Sequence, residues 1–321
     1  MAEKENKKQP LVILTGPTAV GKTALSLRLA KAADGEIISA DSMQVYRGLD
    51  IGSAKILPEQ MEGVTHHLID VLDPKEPFDV VRFQSMAKEC IADIAGRGHL
   101  PILTGGTGFY IQSVLYDIDF TETQEDPDYR RYLEEYADAN GDEALHALLA
   151  AADPESARQI HPHNRRRTIR ALEFHRSSGA LISEHNERER AKTSPFSFAY
   201  FVLDDDREAL YGRCDERVDR MLEDGLEEEV RGLKALGLTR EDGSMKGIGY
   251  REMLGFLEGE TDREETVRLI KRNTRHFAKR QLTWFRRERD VIRLYRPDFA
   301  SEDDILAYML KILREKEILT Q

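Results

Sequence analysis

Leu11-Val12-Ile13-Leu14 is an apolar run that leads through Thr15 into Gly16-Pro17-Thr18-Ala19-Val20-Gly21-Lys22-Thr23. The run is typical of a strand buried on both faces of a parallel sheet, and residues 23–30 are good helix formers. The loop between them matches the pattern G-x-x-x-x-G-K-S/T, in which backbone N–H groups surround phosphate oxygens at the N-terminus of a helix. The order strand, loop, helix therefore predicts a phosphate-binding loop.

The members of this loop have separate expected roles. The glycines at 16 and 21 let backbone amides point inward, and Lys22 supplies a positive charge. The Thr23 hydroxyl is placed to hold Mg²⁺, which is the expected cofactor. All residues from 16 to 23 are thus candidate ligands of phosphate. A nucleoside triphosphate and a diphosphate ester present similar oxygens to such a loop, so the motif leaves both open.

Further apolar runs place the loop in a sheet. Residues 36–39 precede Asp41, residues 100–103 precede a glycine-rich segment, and residues 198–203 form a later run. Strand candidates that alternate with helical stretches predict an α/β fold with a doubly wound, mainly parallel sheet, whose ligands lie at the carboxyl ends of the strands. A last short strand is expected at 291–295.

The middle of the chain has a different pattern, because strand signals vanish and helical spacing dominates. The predicted helices lie at 128–135, 143–152, 164–176, 207–236 and 263–287. The first three of them indicate a helical subdomain inserted into the sheet domain. We therefore expect a catalytic core formed by 10–118 and 196–321, a helical insertion at 119–195, and a disordered leader at 1–9.

Asp41 and Gln44 follow the second predicted strand, and the order of the strands should bring them to the mouth of the phosphate site. A carboxylate there can act as a general base on an incoming nucleophile, and a side-chain amide suits the edge of a nucleobase. The alternative is that Asp41 caps the following turn and that Gln44 is merely solvated. The residues alone leave these two interpretations open.

Composition narrows the function classes. The chain has 321 residues, with 47 Lys+Arg, 59 Asp+Glu and a formal net charge of −12, which argues against a uniformly basic clamp for nucleic acid. Its apolar runs are far too short to span a bilayer, and its lysine-rich start is unlike a signal peptide. We therefore expect a cytoplasmic protein that has no membrane segment.

The charge is nevertheless segregated along the chain. Residues 117–155 carry 13 acidic and 2 basic residues, whereas 156–192 carry 9 basic and 4 acidic, and 263–296 carry 12 basic and 4 acidic. In the last segment four bases recur at helical spacing, and such a stripe suits a phosphate backbone, with a solvated helix face as the alternative. These bases are Arg268, Arg272, Arg275 and Lys279.

Six segments of the chain match motifs of one enzyme family and occur in the same order as in that family. They are Gly16–Thr23, Asp41–Tyr46, Gly52–Lys55, Gly105–Tyr110, Lys246–Arg251 and Thr274–Arg286. Together they resemble the bacterial tRNA dimethylallyltransferases, also called tRNA isopentenyltransferases or the IPP transferase family, over about residues 11–297. The resemblance implies a P-loop NTPase-like fold and transfer of a dimethylallyl group from dimethylallyl diphosphate to N6 of adenosine 37, in tRNAs that read codons beginning with U. The phosphate loop then holds the diphosphate leaving group rather than ATP.

The resemblance also implies roles for individual residues. Asp41 would accept a proton from the attacking amine, and Thr18 and Arg217 would lie beside the diphosphate, so these three are the candidate catalytic residues. The insertion and two loops would contact the anticodon stem-loop of the tRNA. Apart from the resemblance, we expect a monomer. The candidate tRNA-binding residues are Asp41, Ser42, Met43, Gln44, Thr107, Arg130, Arg165, Arg166, Arg167, Thr168, Ile169, Arg170, Lys246, Gly247, Ile248, Gly249, Tyr250 and Arg251.

Two other functions share the core sheet and the phosphate loop. One is a small-molecule or nucleoside kinase, which would carry an arginine-rich lid over ATP. The other is a non-catalytic RNA-binding ATPase, which would carry a clear strand-end aspartate for Mg²⁺. Here the arginine clusters fall in the helical insertion and in the C-terminal helix, which favours transfer to RNA.

Overall fold

The computed structural model describes residues 8–120 and 126–319, and within them the chain forms a six-stranded sheet with many helices. The strands are β1 (Gln9–Thr15), β2 (Gly35–Ala40), β3 (His66–His67), β4 (Leu100–Gly105), β5 (Phe196–Asp204) and β6 (Val291–Tyr295). Their order across the sheet is β3-β2-β4-β1-β5-β6, and all neighbouring strands are parallel. The predicted doubly wound, parallel α/β sheet is thus confirmed.

The helices alternate with these strands or form the inserted region. In chain order they are α1 (Lys22–Ala32), α2 (Val80–Gly96), α3 (Gly108–Leu115), α4 (Pro127–Asn140), α5 (Asp142–Ala152), α6 (Pro154–Gln159), α7 (Arg165–Ser178), α8 (Ile182–Ala191), α9 (Arg207–Glu223), α10 (Leu226–Ala235), α11 (Tyr250–Leu257), α12 (Arg263–Phe285) and α13 (Glu302–Glu315). Within the described residues, none of the helices combines the length and the apolar character that crossing a bilayer requires.

β1 lies inside the sheet, paired with β4 on one side and with β5 on the other. Its apolar run from Leu11 to Leu14 is fully buried, as a strand covered on both faces should be. Because neighbouring parallel strands end at the same edge of a sheet, the loops after β1, β2 and β4 lie together. The fold therefore brings the phosphate loop, Asp41 and Thr107 to one edge.

The described chain divides into two compact units. The first contains the sheet and consists of the chain up to Leu115 and from Pro195 onward, and the second is Tyr116–Ser194. The second unit packs its helices around buried leucines such as Leu133 and Leu149. Its limits lie within a few residues of the insertion expected at 119–195.

A buried carboxylate organises the second unit. Asp153 caps α6 and accepts hydrogen bonds of 2.8–3.0 Å from both the backbone and the hydroxyl of Ser156 and of Ser183. These four bonds lower the pKa of Asp153 against the opposing effect of burial. Since Ser183 lies in α8, the carboxylate fastens α8 to the start of α6.

Two expectations about local structure are wrong. Gln9 belongs to β1 rather than to a disordered leader, because its backbone pairs with Phe196 and its side chain donates to the carbonyl of Ile91; residues 1–7 of the expected leader lie outside the described residues. The helix expected at 207–236 is broken between α9 and α10. Gly225 has φ +100°, a left-handed conformation that ends one helix and starts the next.

Candidate active site at the phosphate-binding loop

The phosphate loop requires glycine at both ends. A Cβ atom at Gly16 would lie 2.3 Å from the carbonyl oxygen of Leu203, so the loop passes too close to β5 for a side chain. Gly21 has φ +98°, which glycine adopts without strain, and it precedes α1 directly. Helix α1 begins at Lys22, and the dipole at its N-terminus favours a bound anion.

Two arginines outside the motif hold the carbonyl groups of the loop. Nε of Arg213 donates to the oxygen of Ala19 at 2.9 Å, and Nη1 of Arg296 donates to that of Val20 at 3.2 Å. The carboxylate of Asp205 pairs with both guanidinium groups, at 2.6 and 3.5 Å. Neither arginine belongs to a recognisable motif, so the sequence pattern did not point to them.

Lys22 folds over its own loop. Its Nζ atom donates to the oxygens of Gly16 at 2.9 Å and Pro17 at 2.7 Å. Burial, together with the positive charge of Arg217, lowers the pKa of Lys22 to about 7, while the carboxylate of Asp41 acts in the opposite direction. Lys22, Arg217 and Asp41 thus share one electrostatic environment.

Arg217 joins α9 to the loop. Its Nη1 donates to the hydroxyl of Thr18 at 3.0 Å, and its Nη2 lies 3.5 Å from the carbonyl oxygen of Ser53. Burial lowers the pKa of Arg217, and Asp41 opposes this shift. Its partners are oxygens of Thr18 and Ser53 rather than a carboxylate of its own acidic helix. Arg217 thus contacts Thr18 and shares the electrostatic environment of Asp41, and the catalytic roles of these three residues stay a prediction.

Asp41 fits both interpretations that the sequence left open. Its Oδ1 atom accepts hydrogen bonds from the backbone N–H groups of Met43 at 2.8 Å and Gln44 at 3.3 Å, so it does cap the following turn. Its Oδ2 atom accepts no hydrogen bond from any described residue. The carboxylate is half-buried, and one of its oxygens remains available to accept a proton.

Gln44 is tied to the protein rather than solvated. Its Oε1 accepts from the hydroxyl of Ser39 at 3.2 Å, and its Nε2 lies 3.4 and 3.3 Å from the carbonyl oxygens of Ser53 and Ala54. These contacts connect the turn after β2 to the loop that Arg217 also reaches. The neighbouring candidates Ser42 and Met43 are half-buried.

Of the candidates from 246 to 251, only Lys246 and Arg251 have exposed side chains. Tyr250 is fully buried; its hydroxyl donates to Glu229 at 2.7 Å and accepts from the N–H of Ser53 at 3.1 Å. Its side chain therefore faces the core, and the expected contact of Tyr250 with tRNA stays a prediction. The motif does not reveal which of its residues face inward, and an aromatic residue at the start of α11 packs into the core.

The remaining positions of this segment are backbone features. A Cβ at Gly247 would lie 2.9 Å from the sulfur of Met43, Gly249 has φ +95°, and Ile248 is partly buried. Glu229 supports the same region, since its carboxylate accepts three backbone N–H groups at 2.8–3.1 Å from residues 50–52. The segment thus packs against Met43, next to Asp41 and Ser42, and its neighbour Glu229 fixes the backbone of residues 50–52.

Thr107 lies at the start of α3, where its N–H donates to the oxygen of Ala40 at 3.3 Å. The neighbouring loop is held by Gln281 of α12, which contacts Thr18 and Gly106. Gln281 is a site residue that was missed. Its signal in the sequence is a polar residue in phase with the buried Ile270, Thr274 and Ala278 of one helix face.

The arginine-rich helix α7 of the second unit presents only part of the expected cluster. Arg166, Arg167 and Arg170 are exposed, whereas the side chains of Thr168 and Ile169 are buried. Helical periodicity explains this result, because consecutive residues of a helix cannot all face outward. The expected contacts of Thr168 and Ile169 with tRNA stay a prediction. Arg165 pairs with Asp138 at 2.5 Å and Asp142 at 2.6 Å.

Arg130 of α4 is half-exposed and forms a bidentate pair with Glu173, with both distances at 2.8 Å. Of the four bases in the stripe expected on α12, two form ion pairs with the protein and two do not. Arg268 pairs with Glu265 at 2.6 Å and Arg275 pairs with Asp215, whereas Arg272 and Lys279 are exposed and form no ion pair within the described residues.

Comparison with known proteins identifies the family. The model of the family described as IPP transferase matches residues 44–288, and that described as isopentenyl transferase matches residues 9–73. A tRNA dimethylallyltransferase from Lachnoclostridium phytofermentans is 59% identical over 311 residues, which cover 97% of this chain and 99% of the relative.

Solved structures of similar proteins point to the same family. The full-length tRNA isopentenylpyrophosphate transferase from Bacillus halodurans is 43% identical with a TM-score of 0.73, over 97% of this chain and 98% of that one. A eukaryotic dimethylallyltransferase acting on tRNA is 29% identical with a TM-score of 0.82, over 96% of this chain and 80% of that one. The chain therefore belongs to the IPP transferase family.

Proposed function

We propose that the protein transfers a dimethylallyl group from dimethylallyl diphosphate to N6 of adenosine 37, next to the anticodon of tRNAs that read codons beginning with U. The observation that carries the proposal is a single cluster in which the phosphate loop, Lys22 and the Thr18–Arg217 pair lie beside the carboxylate of Asp41. The names of the similar proteins, a tRNA dimethylallyltransferase and an enzyme acting on tRNA, support this chemistry.

The cluster divides the reaction between its two sides. An adenine inside a helical stack is inaccessible, so the base leaves the stack and enters the site, at a cost that a loop context reduces. The N6 atom then attacks the prenyl carbon, and the C–O bond to the diphosphate breaks with its electron pair moving to the diphosphate. Asp41 Oδ2 accepts the proton that N6 loses, since Oδ1 is occupied by the turn.

The opposite side stabilises the leaving group. Negative charge grows on the diphosphate as the C–O bond breaks, and Lys22, Arg217 and the loop amides supply fixed positive charge there. Lys22 is adapted to this task because its lowered pKa rises when an anion binds, so the ligand fixes the proton. Nucleophile and leaving group thus meet between a base and a set of cations.

Mg²⁺ fits the loop as a cofactor. The hydroxyl of Thr23 is exposed and forms no hydrogen bond within residues 8–120 and 126–319, and oxygen ligands suit this hard cation. The described residues contain no group of three or more His, Cys, Asp or Glu side chains that could hold a metal alone, which agrees with an ion held by Thr23 and by phosphate oxygens. Bound there, it would neutralise charge on the diphosphate.

The anticodon stem-loop is the proposed tRNA element, and the exposed arginines of α7 and the unpaired bases of α12 are the proposed contacts with its phosphates. We also propose that the protein acts as a monomer in the cytoplasm. Light scattering measures the molecular mass of the protein at assay concentrations. A protein that is a dimer under these conditions, and loses activity when it dissociates, would refute the monomer.

One assay separates this function from the alternatives. The protein is incubated with Mg²⁺, an anticodon stem-loop carrying adenosine 37, and either radiolabelled dimethylallyl diphosphate or γ-labelled ATP. Label that enters RNA only from the diphosphate, and not when guanosine replaces adenosine 37, supports the proposal. Transfer of the γ-phosphate to an added nucleoside would indicate a kinase, and release of phosphate from ATP without RNA labelling would indicate an ATPase; either would refute the proposal.

A further inference from the structure

Gln281 joins two loops of the candidate site through one side-chain amide. Its Oε1 accepts the backbone N–H of Thr18 at 2.8 Å, and its Nε2 donates to the carbonyl oxygen of Gly106 at 2.9 Å. Thr18 belongs to the phosphate loop, and Gly106 precedes Thr107 in the loop after β4. The amide therefore spans the gap between the ends of β1 and β4, and both of its polar atoms are engaged.

The surroundings of Gln281 are fitted to this contact. A Cβ at Gly106 would lie 2.2 Å from Nε2 of Gln281, and its next neighbour outside Gln281 would be the oxygen of Gly16 at 3.8 Å. The absence of a side chain at Gly106 thus leaves room for the amide and for little else. Gly106 does not have a positive φ, so backbone conformation does not require glycine there.

Gln281 cannot be explained as a tRNA contact. Its side chain is only 6% exposed, and it lies on the buried face of α12, away from the exposed bases of that helix. Its partner Thr18 is held on its other side by Arg217, through the hydroxyl. One residue of the phosphate loop is therefore fixed by its backbone and by its side chain from two different helices.

We propose that Gln281 is a positioning residue that sets the separation between the phosphate loop and the loop after β4, and so aligns the bound diphosphate ester with the nucleophile. This proposal rests on the proposed function, because it assigns the two loops to the two reactants. A misplacement of about 1 Å between reacting groups reduces turnover by about 10²-fold. The residue acts through Thr18 and Gly106 and does not touch the substrates.

A double-mutant cycle tests the proposal. Gln281→Ala removes the whole amide, Gln281→Leu removes both hydrogen bonds at similar volume, and Gly106→Ala displaces the amide without removing it. Each single variant is expected to lower kcat for prenyl transfer by about 10²-fold, with the KM for the stem-loop unchanged. In the Gln281→Ala background, Gly106→Ala is expected to have almost no additional effect, because its only close neighbour is gone.

Thr274→Val is the matched control. Thr274 lies two turns earlier on the same face of α12 and is 8% exposed, but its hydroxyl bonds only to the carbonyl of Ile270 in its own helix. It is expected to lower the melting temperature as much as the Gln281 variant does while leaving kcat unchanged. Equal kinetic effects of Thr274→Val and Gln281→Leu would overturn the proposal. Additive effects of Gln281→Ala and Gly106→Ala in the cycle would also overturn it.

A second readout separates this proposal from the proposed function. Binding of inorganic pyrophosphate with Mg²⁺, measured by calorimetry, does not depend on prenyl transfer. Gln281→Leu is expected to weaken this binding by about fivefold to tenfold, as expected when a loop loses one fixing hydrogen bond. Wild-type protein that fails to prenylate RNA would refute the proposed function, whereas unchanged pyrophosphate affinity in Gln281→Leu would refute the positioning role.

Discussion

Two sets of arginines, one from each unit, are used in opposite ways. In the sheet unit, Arg213, Arg217 and Arg296 turn toward oxygens of the phosphate loop and are held there by protein partners. In the inserted unit, Arg166 and Arg167 are exposed and form no ion pairs within the described residues. The same residue type thus supplies fixed charge at the site of chemistry and free charge where RNA is expected.

This difference determines how the two regions respond to substitution. Charges that are fixed in a partly desolvated site act on bond making and breaking, and each is worth a large factor in rate. Exposed charges act on RNA phosphates through water and salt, so each contributes modestly to affinity and to its dependence on ionic strength. Substitutions of the fixed charges around the phosphate loop should therefore change rate, and those of the exposed arginines of α7 should change affinity.

The largest effect is expected at Asp41. Asp41→Ala should abolish prenyl transfer, and Asp41→Asn should lower it by at least about 10³-fold, because an amide cannot accept the proton from N6. Asn retains an oxygen for the N–H groups of Met43 and Gln44, so the turn is preserved. Single-turnover transfer to an anticodon stem-loop measures the effect. An Asp41→Asn variant with near-normal turnover would leave Asp41 only its turn-capping role.

Arg217→Met is expected to have the second largest effect, lowering kcat/KM for dimethylallyl diphosphate by about 10²–10³-fold. It removes both a charge beside the diphosphate and the contact with Thr18. Arg220→Met is the matched control, since Arg220 is exposed on the same helix and reaches only the carbonyl of Glu216, at 3.5 Å. Steady-state kinetics on both variants decide the matter, and similar losses would contradict a specific role of Arg217.

A moderate effect is expected in the insertion. Arg166→Ala should weaken stem-loop binding by about fivefold to tenfold and reduce the slope of log K against log salt by about 1, with little change in kcat. Arg165→Ala is the control, because Arg165 is held by Asp138 and Asp142. Filter binding across a salt series provides the comparison. Equal losses of affinity in the two variants would show that ion pairing within the insertion does not govern RNA contact.

The smallest expected effect is the uptake of a proton when pyrophosphate binds. The pKa of Lys22 is about 7 in the free protein, and a bound anion raises it, so binding of pyrophosphate above pH 7 should take up a proton. At pH 8 the uptake should approach one proton for wild type and be lower for Lys22→Met. Calorimetry in buffers of different ionisation enthalpy measures it. Equal uptake by both proteins would mean that Lys22 is already charged before binding.

The sequence predicted what depends on local pattern. The phosphate loop, β1 and the start of α1 are contiguous, and the spacing of two glycines and a lysine specifies them. Asp41 was predicted from strand order, because residues after neighbouring parallel strands meet at one edge. The resemblance to a family added Thr18 and Arg217, and the structure brings these two into hydrogen-bond contact.

What the sequence did not predict depends on partners far apart in the chain. Gln281 lies 263 positions from Thr18, and Arg296 lies 276 positions from Val20, so no local spacing connects them. The burial of Tyr250, Thr168 and Ile169 was not predicted for another reason. A motif names residues without stating which of them face the core, and helix phase buries these three.

We expect the groups fixed at the phosphate loop and at Asp41 to set the rate, and the exposed arginines of α7 to set the affinity for RNA. The most direct test measures single-turnover prenyl transfer and the dissociation constant for the same anticodon stem-loop, on Asp41→Asn and Arg166→Ala in parallel. The account predicts a crossed result, in which Asp41→Asn loses the rate and keeps the affinity while Arg166→Ala keeps the rate and loses affinity. Loss of both quantities in both variants, or normal turnover by Asp41→Asn, would contradict it.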